Sequence, residues 1–252
     1  MIVSQAGNAV AGCPWPQSIV GLQQQAASKG WSHEDLRRLW AANDLAAALF
    51  TGRFRGSGRP FVNHLAGTAA LALHYGGNVD EVLAAFLHAA YAQGAFNAWR
   101  DGPTKKNRAT VRAVLGGLAE TLVARYDQFD WMGIAARADP NEVAALSAED
   151  QRALFLHMVN ELEDSLDHAV YDKNWGSGCL TRLAAAAKFA VQLDLHALAE
   201  GIQARHTELS DRDHHPALAV RPKRSLTIFP AAPLARQLRQ ALGRLKRLAR
   251  LR

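Results

Sequence analysis

The run VDEVLAAFLHAAYAQGAF, residues 79–96, decides how the rest of the chain is read. Its middle is apolar on every helical face, which predicts a central buried helix over 79–92. Such a helix needs neighbours on all sides. The run carries His88, then Ala89, Ala90 and Tyr91. A histidine there is either a core residue bonded to backbone carbonyls or a group held for chemistry.

Working outward, the flanking segments also read as helices. QSIVGLQQQAASKG (17–30) fits a short helix ending at Gly30. SHEDLRRLWAANDLAAALFTG (32–52) has Ser32 as N-cap, Asp35 three residues on and an apolar stripe through Leu36, Leu39, Trp40, Leu45 and Leu49. A basic, Gly-rich loop, RFRGSGRP (53–60), leads into a helix from about Pro60 to Tyr75. Residues 94–107 read as a loop with short helical turns. Residues 108–129 read as a helix weakened by Gly116-Gly117, and 130–146 as a segment broken at Asp139-Pro140. Residues 147–171 read as a long helix with Ser147 as N-cap and acids in its first turn. NWGSG (174–178) reads as a turn, and 179–206 as one or two further helices. No segment alternates as a strand for more than a few residues, and no repeat period is visible. The expected fold is all-α, with roughly eight or nine helices.

Composition agrees. Of 252 residues, 49% are hydrophobic, and the abundance of Ala and Leu over β-branched residues favours helix. Two distant cysteines, Cys13 and Cys179, make no disulfide framework, so a reducing compartment, the cytoplasm, is expected. Residues 1–17 read as an irregular leader without a signal peptide's basic start. No apolar run is long enough for a transmembrane helix.

The net charge of +6 hides an asymmetry. Residues 217–252 hold ten of the 29 Lys and Arg and none of the 23 Asp and Glu. This leaves 1–216 at 19 minus 23, or −4. The expected organisation is a helical domain over 18–207, a Pro-punctuated linker over 208–233 and a cationic amphipathic helix over 234–252. In the last, Leu234, Leu238, Leu242, Leu245 and Leu248 share one face and arginines the other. Its uses are packing on the body, docking to a protein partner, or lying on an anionic surface. Without aromatics for stacking, specific nucleic-acid binding is not expected.

The stretch GRFRGSGRPFVNHLAGTAALALHYGGNVDEVLAAFLHAAY, with the later VNELEDSLDH, resembles the HD-domain superfamily. It is most similar to the hydrolase domain of the bacterial alarmone synthetase–hydrolases. The resemblance covers about residues 36–170. It implies an HD-like helical domain and hydrolysis of a phosphate ester at a divalent transition metal, Mn²⁺, Fe²⁺ or Zn²⁺. It places His64 and His88 on the two metal histidines and Asp164 on the closing aspartate. The family's His-Asp pair is here His88-Ala89, so a bridging aspartate is missing and a mononuclear site is the version left. FLHAAYAQGAF and RATVRAVLGGLAETLV also resemble an uncharacterised HD-like family whose second helix ends His-Ser-x-Tyr-Gly. That likeness makes the lost aspartate a subfamily habit.

The remaining candidates follow from position. Tyr91 lies three residues after His88 and would be a proton donor in the cleft, or a packing residue. Asn160 and Asp164, four apart, can face the cleft together, whereas Glu161 and Glu163 point elsewhere, at least one of them on the surface. His157 and Glu161 form an ordinary i, i+4 pair. Arg55 and Arg59 hold the anionic part of a small-molecule substrate, or belong to a solvated basic loop. No P-loop, dinucleotide fingerprint, GxSxG or HExxH occurs. Two readings stay open: a divergent HD enzyme with a degenerate motif, or a non-catalytic HD-like binding or regulatory module that has lost its metal.

Overall fold

The computed structural model describes residues 15–96, 102–137, 140–168 and 173–211. Twelve helical segments occur among them: α1 Ile19–Ser28, α2 His33–Phe50, α3 Phe61–His74, α4 Val79–Leu87, α5 Ala90–Gln93, α6 Lys105–Leu115, α7 Gly117–Gln128, α8 Trp131–Arg137, α9 Pro140–Ala144, α10 Ala148–His168, α11 Lys173–Gln192 and α12 His196–Ser210. No strand occurs among the described residues, and one isolated bridge joins Phe54 to Pro60. The fold is all-α. No described helix is long and apolar enough to cross a membrane. The leader through residue 14, most of the linker and the cationic segment lie outside the described residues.

α4 is the axis of the domain. Asn78 and Glu81 close a reciprocal capping box at its start. Val82 to Leu87 are all buried, because α2, α3, α6, α7 and α10 surround the helix. This is the environment that an all-round apolar helix requires. Around it, α1 packs on α2 and α3, and α11 and α12 pack on each other and on α10.

The helix count exceeds eight or nine for local reasons. α4 does not continue to residue 92; it ends at Leu87, and α5 restarts after His88 and Ala89. The Gly pair breaks the 108–129 segment outright: Gly116 has φ 88° and ψ 170°, a conformation open only to glycine, and α6 and α7 diverge there. The expected turn at NWGSG is helical backbone within α11.

The basic loop is folded, not solvated. The Arg55 N–H donates to the Arg59 carbonyl and the Gly58 N–H to the Arg55 carbonyl, each at 2.9 Å. Gly58, at φ 91°, makes that reversal possible. The Phe61 N–H then donates to the Arg53 carbonyl at 2.9 Å, tying the loop's exit to its entry. The resulting hairpin faces α10.

Candidate functional site

The site lies where the start of α3, the end of α4 and the middle of α10 meet. His64 stands in the first turn of α3, 1% exposed. Phe61 presents an edge to it and is itself stacked on Phe50 at 4.9 Å. His88 caps α4 and is 3% exposed. Its Nδ1 lies 2.7 Å from the Ala85 carbonyl. A carbonyl only accepts, so this contact puts the proton of neutral His88 on Nδ1 and leaves a lone pair on Nε2.

His64 is held in a parallel way. Its Nδ1 contacts the Glu163 carboxylate, which also receives both terminal nitrogens of Arg59. A carboxylate so engaged is an acceptor, so His64 also carries its proton on Nδ1. The two Nε2 atoms then face each other at 3.3 Å, each with a lone pair. Burial, followed by the charge of Arg55, holds His64 well below the usual imidazole range, and burial lowers His88 as well. Both rings favour the neutral form.

Glu163 is fully buried. Gly67 makes room for it: a Cβ on Gly67 would lie 2.5 Å from Glu163 Oε1. Burial pushes Glu163 up to about 7, against the pull of Arg59. Arg55 donates to Asp164 at 2.6 Å and to Asp167, while Ser57 donates to Asp167 at 2.8 Å. Arg59 Nε lies 3.0 Å from Asp167. Burial alone would raise Asp167, but Arg55 and Arg59 hold it below the ordinary carboxylate range. Thus three carboxyl groups, Glu163, Asp164 and Asp167, face the two guanidinium groups of Arg55 and Arg59.

The residues expected from sequence are only partly brought together. His64 and His88 meet, and Asp164 comes within 3.4 Å of His64, but on Nδ1, opposite the nitrogen that faces His88. The trio therefore does not converge on one point. His64, Glu163 and Asp164 form the set whose ligand atoms all lie within 4.8 Å of one another. Glu163 does not point away: it is the acceptor for both His64 and Arg59. Glu161 is also buried and binds Arg182 at 2.7 Å. Burial and the nearby Asp164 push it up to about 7.

Tyr91 does not share a cleft with His88. Its hydroxyl donates to Glu120 at 2.8 Å. Glu120 also takes Arg108 at 2.6 Å and Arg112 at 2.7 Å. A three-residue offset places two side chains on one face only while the helix continues, and α4 stops between them. Asn160 is buried, 6% exposed, and its Oδ1 has no hydrogen-bond partner. Arg55 and Arg59 are ion-paired to α10 and are not solvated.

Two groups beside His88 carried no sequence signal. Tyr126 of α7 presents its ring to His88 at 4.9 Å and stacks on His157 at 3.9 Å. Burial, then Asp164 and Glu161, raise its phenol well above the usual range. His157 lies one turn before Glu161 on α10, flanked on its other side by Trp131 at 5.7 Å. Its helical spacing from Leu154 and Glu161 is that of any inward-facing position.

The family model described as Domain of unknown function (DUF6817) matches residues 46–130. That stretch contains His64, His88, Tyr91, Glu120 and Tyr126, and it stops before the α10 carboxylates. No curated protein matches the chain.

Proposed function

We propose that this protein is a divergent HD-like enzyme that hydrolyses a small anionic substrate, of phosphate-ester type, with one divalent transition ion between His64 and His88. The observation that carries this reading is the pair of facing Nε2 lone pairs, 3.3 Å apart, with both Nδ1 atoms already engaged. Metal-bound histidines characteristically donate their other N–H to a carboxylate or a backbone carbonyl, the two partners found here. In a tetrahedral site with bonds of about 2.0–2.1 Å, two ligand atoms stand about 3.3–3.4 Å apart. The donor set therefore fits Zn²⁺, Mn²⁺ or Fe²⁺. Asp164 lies on the Nδ1 side of His64, so the remaining positions of an ion between the Nε2 atoms would fall to water or substrate oxygens. A bound ion would supply an acidified water and polarise a phosphoryl oxygen. An anionic substrate would draw Arg55 or Arg59 from its carboxylate partners, and Glu163 fixes the tautomer and orientation of His64.

A second reading rests on Arg55, which already holds Asp164 at 2.6 Å. A single proton in the gap, shared by the Nε2 atoms of His64 and His88, would also satisfy both nitrogens. The cluster would then be a charge-balanced staple in a non-catalytic binding module. Metal analysis of untagged protein separates the two. The enzyme reading expects close to one equivalent of transition metal, retained on dialysis and lost in His88→Ala. Less than a tenth of an equivalent, with no gain on reconstitution, would refute it.

A further inference from the structure

A groove outside the histidine site opens between the starts of α4 and α10 and the first turns of α7. Its cavity is about 370 Å³, with Val79, Leu118 and Leu122 as apolar lining and Asp80, Glu149 and Arg152 at the rim. Leu118 is 66% exposed, one of few large apolar side chains so open to water among the described residues. Exposing it costs stability that burial would recover. The helices around the groove begin with acid pairs, Asp80-Glu81 on α4 and Glu149-Asp150 on α10. Asp80 is bridged by Arg38 at 2.5 Å, Glu81 faces Arg152 at 3.6 Å and Asp150 takes Arg125, while Glu149 stands exposed.

The same chain contains a segment of complementary chemistry. Residues 234–252 carry leucines every three or four positions and seven of the arginines and lysines of the acid-free stretch 217–252. On a helix that pattern makes an apolar stripe edged by positive charge. We propose that residues 234–252 dock on this groove of their own domain, with leucines over Leu118 and Leu122 and a cation on Glu149. Reach is no obstacle. The 23 steps from Asp211 to Leu234 span up to about 75 Å when extended, against a radius of gyration near 16 Å for a domain of this size. An intramolecular ligand needs little intrinsic affinity, because the linker holds it at an effective concentration in the millimolar range.

The test uses the full chain and a zero-length carbodiimide, which joins a lysine to a carboxylate only in direct contact. Lys246 is the sole lysine of 234–252. The expected product is an intrachain link from Lys246 to Glu149 or Asp80, identified by peptide mass spectrometry on mixed ¹⁴N and ¹⁵N protein. Leu118→Arg, at an exposed position, should leave the domain folded and abolish that link. It should also lower hydrogen-exchange protection of 234–252 by about tenfold. Links that form only between chains, links from Lys246 only to other faces, or protection indifferent to Leu118→Arg each overturn the proposal.

Discussion

Replacing His157 by phenylalanine tests how the site's second layer is built. His157 is 7% exposed, stacked on Tyr126, and its Nε2 has no partner. Burial, then the neighbouring His88, lowers it from 6.5 to about 3, against a backbone hydrogen bond at Tyr126. The folded value lies below the unfolded one, so the neutral ring's contribution is present above pH ~6.5 and lost as pH falls towards ~3. Between pH 7 and pH 4 the unfolded chain takes up a proton here that the folded chain refuses. Linkage converts that difference to about 3 kcal/mol of lost stability. Phenylalanine keeps a ring against Tyr126 and Trp131 and removes the proton site. At pH 7 the lost backbone bond, about 1 kcal/mol, is offset by removal of the unpartnered nitrogen. Urea unfolding at the two pH values measures the effect. Wild type and His157→Phe should be within about 1 kcal/mol at pH 7, and the variant should lose about 3 kcal/mol less on going to pH 4. Equal losses in both proteins would mean that His157 is accessible to protons in the native state.

Three other substitutions probe the geometry. Gly67→Ala should displace Glu163 from His64 and destabilise the fold by about 1–3 kcal/mol despite a better helix residue, with metal uptake falling in parallel; denaturant titration and metal analysis check it. Tyr91→Phe should cost about 1–2 kcal/mol through its lost bond to Glu120 and leave metal content untouched, because the hydroxyl faces away from the histidines. A drop in metal content would restore Tyr91 to the site. Gly116→Ala should cost about 1–3 kcal/mol by forcing a side chain into φ 88°, visible as a lower melting temperature.

Much of this was legible without coordinates. The all-round apolar run at 79–92 announced a central helix, because a helix without a polar face can only be surrounded. Ser32 and Ser147 marked helix starts through local hydrogen bonding, which sequence encodes directly. His64 and His88 were singled out by the resemblance to HD domains, and the chain does bring them together. What escaped was everything set by which face of α10 turns inward. Glu163 and Asp167 belong to a string of acids, ELEDSLDH, which looks like a solvated helix end. They are buried because a basic hairpin 100 residues earlier folds over them, a pairing that no local pattern carries. Tyr91 lost its assigned role to a helix break of two residues. Tyr126 and His157 gained theirs from ring contacts between α7 and α10. The sequence by itself determined the helices, the buried axis and the two histidines, since periodicity and capping are local. Only the tertiary structure decided the tautomers, the charge balance and the direction in which each nitrogen points, since those depend on atoms brought together from distant parts of the chain.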